Sequence, residues 1–233
     1  MMNFMSIKAS LLRVLLLAGL CICGAVRAEG IGFDLTRAVI APERTESSLV
    51  FKNDTDWAYL LVSHLETPDG EKVRDGVMLV PPIAKIMPRT GARLRILVSD
   101  PSKFPQDRET LLWLVSKAVP ASTEAKNALQ INFVNKLKVF YRPKGLKGNS
   151  IEAMKQVKVI RQGDRLVVKN ESAFVISMGT YFVDEKSIDT SDVIFPFSQL
   201  VLEKLDIPQK PFRFGWIALD ESGLFVRNNA DVK

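Results

Sequence analysis

The stretch Leu129-Gln130-Ile131-Asn132-Phe133-Val134-Asn135-Lys136-Leu137-Lys138-Val139-Phe140-Tyr141 alternates apolar and polar residues over most of its length. Successive side chains of a strand point to opposite faces, so Leu129, Ile131, Phe133 and Leu137 share one face. Gln130, Asn132, Val134, Lys136 and Lys138 occupy the other. The pattern fits an ordinary half-buried strand. It also fits an edge strand whose apolar side chains enter a groove in another protein. Edge strands present unpaired N–H and C=O groups, which pair readily with a foreign strand.

Working outward, most other segments are short, rich in Val, Ile, Leu and Phe, and bounded by turn residues. Phe33 to Val39 alternates. Trp57 to Leu65 is strongly apolar and runs into the Thr67-Pro68-Asp69-Gly70 turn. Ala92 to Val98 sets Leu94, Ile96 and Val98 against Arg93, Arg95 and Leu97. The polar, glycine-containing stretch Pro143-Lys144-Gly145-Leu146-Lys147-Gly148-Asn149-Ser150 reads as a linker. Beyond it, Val157 to Ile160 and Leu166 to Val168 read as a hairpin, and further strands follow to Arg227. A helical turn is expected at Glu124 to Asn127, and no long amphipathic helix. The pattern predicts an all-β chain of antiparallel sandwiches.

Residues 1–28 read as an export signal: Lys8 and Arg13, an uncharged run from Val14 to Val26, then Val26-Arg27-Ala28 with small residues at the positions a signal peptidase reads. The run is short for a membrane span, which needs about 20 apolar residues. The remaining chain is expected to divide into domains 29–143 and 144–233. Removing the signal also removes Cys21 and Cys23, so no disulfide is expected. Net charge drops from +6 to +3, since Lys8, Arg13 and Arg27 leave 29 basic against 26 acidic residues. The basic residues are spread along the chain without the interleaved aromatics of a nucleic-acid surface.

Enzymatic signatures are missing. His64 is the only histidine, which excludes schemes needing two. No nucleophile elbow, zinc-binding helix or phosphate-binding glycine loop occurs. Asp184-Glu185 and Asp220-Glu221 are sequence neighbours, which in a strand face apart. Asn53-Asp54-Thr55 and Asn170-Glu171-Ser172 match the glycosylation sequon, a pattern common by chance.

Four motifs, in order, resemble the periplasmic chaperones of the chaperone–usher pilus pathway. They are Thr36-Arg37-Ala38-Val39; Val80-Pro81-Pro82; Phe104-Pro105-Gln106-Asp107-Arg108-Glu109-Thr110; and Leu129-Gln130-Ile131 through Lys138-Val139-Phe140-Tyr141-Arg142-Pro143. One departure stands after Leu112-Trp113-Leu114, where Val115-Ser116 replace an expected Asn and aliphatic residue. The short loop before the long strand, without a cysteine pair, resembles the short-loop subfamily.

The resemblance implies two immunoglobulin-like β-sandwich domains at an angle with a cleft between them. It implies that Arg37 and Lys138 bind the C-terminal carboxylate of a pilus subunit. Asn127, Leu129, Ile131 and Phe133 would be donor-strand residues filling the subunit's groove. Arg95, Glu109 and Asp220 would form an ionic network between the domains. The implied partners are pilus subunits and an outer-membrane usher, in the periplasm, with no catalytic residue, cofactor, metal or nucleic acid; self-association of the free protein is compatible with an exposed strand. A fimbrial subunit or adhesin, and an exported hydrolase, are the alternatives. The first would normally carry a cysteine pair and a single incomplete domain, and the second a clustered nucleophile and base.

Overall fold

The computed structural model describes residues 30–41, 43–121, 131–184, 186–190, 192–203 and 205–233. The signal read at 1–28, the expected turn at 124–127, and Asn127 and Leu129 lie outside these residues.

The first half forms β1 (Ile31–Phe33), β2 (Arg37–Ile40), β3 (Glu46–Asn53), β4 (Tyr59–Glu66), β5 (Val77–Val80), β6 (Ile83–Ile86), β7 (Thr90–Val98), β8 (Thr110–Pro120) and β9 (Phe133–Tyr141). One sheet has the order β1-β3-β7-β5, the other β2-β9-β8-β4-β6. Their facing sides close over a core that includes Ile40, Phe51, Leu61, Leu94, Ile96, Leu114 and Val139. Alternation explains the arrangement: on β7, Leu94 and Ile96 are buried while Arg93 and Arg95 are exposed. This is sandwich packing of two half-apolar sheets.

Phe33 to Val39, expected as one strand, is broken. Its first part, β1, pairs antiparallel with β3, whereas β2 pairs parallel with β9. The chain therefore changes sheets between Phe33 and Arg37. The break leaves β2 beside only the last part of β9, from Lys138 to Tyr141.

The second half forms α1 (Ser150–Lys155), β10 (Lys158–Gln162), β11 (Arg165–Asn170), β12 (Ile176–Val183), β13 (Lys186–Asp189), β14 (Val193–Ile194), β15 (Ser198–Leu202), β16 (Phe212–Leu219) and β17 (Phe225–Val232). The six-residue helix, absent from the sequence expectation, starts where the Asn149 side chain accepts from the Glu152 N–H. Sheets β10-β11-β15 and β13-β12-β16-β17 enclose a second core built around Tyr181, Phe214 and Trp216. A third cluster, Leu111, Phe140 and Val175 with Val39 and Val193, joins the two halves.

Both apparent glycosylation sequons prove to be one structural device used twice. Asn53 and Asn170 are 0% and 1% exposed. Asn53 Nδ2 donates to the carbonyls of Trp57 and Met87, and its Oδ1 accepts from Thr55 N and Oγ1. Asn170 Nδ2 donates to the carbonyls of Phe174, Ile194 and Phe195, and its Oδ1 accepts from Ser172 N and Oγ. The repeated element is Asn-acidic-Thr/Ser-x-aromatic. It satisfies buried backbone groups as the chain leaves β3 and β11, where no ladder reaches them.

Candidate functional site: a cation pair beside an open strand edge

The outer face of the β2-β9-β8-β4-β6 sheet is built in rows. Strand pairing places Glu66, Trp113, Lys138 and Arg37 side by side across four strands. The next row holds Leu111, Phe140 and Val39, which pack on Val175 of the second half. Beyond it lies an ionic row containing Glu109 and Arg142.

Arg37 is 7% exposed because the second half covers it. Its Nη1 donates to the Leu219 carbonyl at 3.0 Å, and its guanidinium sits 5.8 Å from the Phe140 ring centroid. Burial pulls its pKa down, opposed by the nearby charge of Asp220. Lys138 is half-buried, with its ammonium 5.6 Å from the Trp113 ring. Burial, then the Arg37 charge, lowers the Lys138 pKa to about 8. Among the described residues neither cation forms an ion pair. Two adjacent, partly desolvated cations, neither within ion-pair distance of a carboxylate among the described residues, have the chemistry of a candidate anion site.

The edge of β9 next to this pair is open. β8 pairs with β9 throughout, but among the described residues no strand pairs with Phe133–Leu137 on the side where β2 lies. Leu137, Val139 and Tyr141 point into the core. Phe133 continues the same face beyond it and is 39% exposed, and Ile131, just ahead of the strand, is 59% exposed. Phe133 makes an edge contact with Tyr59, ring centroids 6.1 Å apart.

The expected ionic network is only partly as the resemblance implies. Arg95 stands apart: alternation along β7 turns it to the outer surface of the other sheet, where it meets Glu46 at 3.9 Å, both half exposed. Arg142 takes the central place. Its Nε and Nη2 donate to Glu109 Oε1 at 2.8 and 2.7 Å, and its Nη1 to Glu221 Oε2 at 3.1 Å. Glu109 Oε2 accepts from Val175 N at 2.9 Å, and Glu109 N donates to the Ala173 carbonyl. Burial pushes the Glu109 carboxyl up, against the pull of Arg142. Asp220 lies near Arg37 but spends Oδ1 on the amides of Ser222 and Leu224. Arg142 and Glu221 are residues whose roles sequence reading missed. Arg142 lay inside a quoted motif, and Glu221 was dismissed as the neighbour of Asp220.

The departure at Val115-Ser116 also finds its place. Ser116 is buried opposite Ser63, their hydroxyls 2.8 Å apart, so the core satisfies both polar groups internally.

Residues 30–147 match the family described as pili and flagellar-assembly chaperone, PapD N-terminal domain. Residues 152–230 match the pili assembly chaperone PapD, C-terminal domain. The chain belongs to the PapD-type pilus-assembly chaperones. This chaperone is 34% identical over 172 residues to the chaperone protein LpfB of Salmonella typhimurium, covering 72% of this chain and 73% of that protein. It is 32% identical over 185 residues to the probable fimbrial chaperone LpfB of Escherichia coli O157:H7, covering 78% and 79%. Its fold is similar to the crystal structure of the E. coli chaperone DraB, with TM-score 0.75 and 26% identity over 89% of this chain and 98% of that one.

Proposed function

We propose that this chaperone, exported to the periplasm by the 1–28 segment, caps pilus subunits by lending them β9 and passes them to an outer-membrane usher. One observation carries the reading: the open edge at Phe133–Leu137 ends at Arg37 and Lys138, where the parallel β2 ladder begins. A strand filling that edge and placing its C-terminal carboxylate at the two cations must run parallel to β9. It is then collinear with β2 and stops where β2 starts. Its direction follows from the site's position alone.

The parts contribute differently. Ile131 and Phe133, with Asn127 and Leu129 ahead of them, enter the groove a subunit leaves open for want of its own last strand. Burying each large side chain is worth about 1.5–3 kcal/mol, so the apolar row supplies most of the affinity. Lys138 is the accessible cation that meets the carboxylate, and Arg37 adds its field from beneath. A fixed chain end sets the register for the whole added strand. The protein's part is binding, with no chemical step.

Co-purification from the periplasm tests this. Wild-type chaperone should recover pilus subunits, identifiable by mass spectrometry, while folded Arg37→Ala and Lys138→Ala variants should not. Undiminished recovery by both variants overturns the anchoring role.

A further inference from the structure

Two lysines, not one, stand on the outer face of β9 beside the open edge. Lys136 and Lys138 flank the Trp113 ring, their ammonium groups 5.0 and 5.6 Å from its centroid. Their surroundings differ. Lys136 Nζ donates to Glu66 Oε2 at 3.3 Å, and Glu66 Oε1 lies 2.8 Å from His64 Nε2. Among the described residues Lys138 has no anionic partner, and Arg37 stands next to it in the ladder.

Strand addition must choose a register. A slip of one residue turns every side chain of the incoming strand to the wrong face, so the apolar row forbids it. A slip of two residues moves the strand about 7 Å along β9 and keeps every face. Apolar side chains recurring at every second position discriminate weakly against it. The lysines recur at the same interval, so an unpaired Lys136 would offer the slipped carboxylate a second cation.

We propose that Glu66 is a register-determining residue: by neutralising Lys136 it leaves the Lys138–Arg37 pair as the single cationic stop on β9. A carboxylate slipped to Lys136 meets a cation already satisfied and a like charge on Glu66. This rests on the carboxylate-anchoring role of Lys138 and Arg37 and adds a residue on a strand, β4, that does not touch the added strand's edge.

The test uses a synthetic peptide of the last 13 residues of a subunit that co-purifies with the chaperone, as the free acid and as the C-terminal amide. Binding is measured by fluorescence anisotropy. Against the wild-type background, Lys138→Met should weaken the free acid about 10-fold or more, the scale of a charge-assisted hydrogen bond. In Glu66→Gln, the same Lys138→Met change should cost less than about 3-fold, because Lys136 takes the carboxylate. Adding Lys136→Met to that double variant should restore the full loss, and Glu66→Asp should behave as wild type. Photo-crosslinks from a probe placed at Asn135 should shift by two peptide residues in Glu66→Gln/Lys138→Met. An equal Lys138→Met loss in both backgrounds, with unshifted crosslinks, overturns the role of Glu66. If the amide binds wild type as well as the acid does, the carboxylate reading itself is overturned.

Discussion

Arg37 and Lys138 are direct partners in the parallel register of β2 and β9, two cations side by side at the point where that ladder begins. Burial lowers the pKa of both; the Arg37 charge lowers that of Lys138 further, whereas the Asp220 charge opposes the shift at Arg37. Such a pair is unfavourable in the free protein and becomes favourable when an anion arrives.

Stability and capture should therefore move in opposite directions at Lys138. With its pKa lowered from 10.5 to about 8, the folded state disfavours the charged form. The penalty is present below pH 8 and fades as pH rises toward 10.5, so the free chaperone should gain stability across that window. Lys138→Met removes the penalty at neutral pH. Urea unfolding of the variant should give a midpoint equal to or above wild type, although subunit recovery is lost. A clear drop in midpoint would show that the ammonium is satisfied internally.

Capture should itself depend on pH, with the sign fixed by the same residue. A bound carboxylate holds Lys138 in its protonated form and raises its pKa, so binding takes up a proton above pH 8. Affinity for a free-acid subunit peptide should be flat from pH 6.5 to 7.5 and then fall, by at most about tenfold per pH unit. The amidated peptide should show little of this fall. Anisotropy titrations at constant ionic strength would compare the two.

Ile131 separates donation from folding. It is 59% exposed in the free chaperone, so Ile131→Asp should leave thermal unfolding within about 0.5 kcal/mol of wild type. In the complex the same carboxylate would enter an apolar groove unpaired, a loss of several kcal/mol. Complex formation should be undetectable by size exclusion. Normal complex formation would remove Ile131 from the donor strand.

Much of this was legible in the sequence. Period-two patterning marks β7 and β9 because each has one largely apolar face, β4 shows as an apolar run with Leu60 and Val62 on its outer side, and the family resemblance implies Arg37 and Lys138 together before any coordinates do. What was not legible depends on pairing across strands. Nothing in the sequence between Phe33 and Val39 signals that the chain changes sheets, yet that change opens the β9 edge. Arg95 and Arg142 are both arginines within strand-like runs. Only the orientation of β7 puts one on the outer surface, and only the approach of Val175 and Glu221 puts the other at the junction. The two Asn motifs look like sequons because the sequon and the corner need the same residue types. Burial distinguishes them, and burial is a tertiary property.

Those corners make a paired prediction. Asn53→Ala and Asn170→Ala each strand buried carbonyls and an amide that no ladder supplies. An orphaned buried group costs about 1–3 kcal/mol, so each variant should be destabilised by at least that much in its own half. Because the hydrogen-bond sets are nearly the same, the two losses should be similar. A negligible effect at one site would mean that its corner carbonyls are solvated some other way. Hydrogen exchange resolved by half would locate each effect.

Glu109 and Arg95 offer the sharpest contrast, since both were expected in one network and the structure places only Glu109 there. Glu109 binds Arg142 through one oxygen and the Val175 amide through the other, with side-chain exposures of 2% for Glu109 and 12% for Arg142. Removing one partner of a buried pair costs about 3–5 kcal/mol, because the other charge is left stranded. Glu221 compensates Arg142 in part, so Glu109→Ala should fall at the lower end of that range. The loss should appear where the halves meet: a broadened or two-step urea transition and a wider range of interdomain angles in small-angle scattering. Capture should weaken as well, because Arg37 is held by the Leu219 carbonyl across the same junction. Arg95→Ala breaks only an exposed 3.9 Å contact with Glu46 and should change stability by less than about 0.5 kcal/mol. Equal losses for the two variants would return Arg95 to the network and require that its side chain reach the junction.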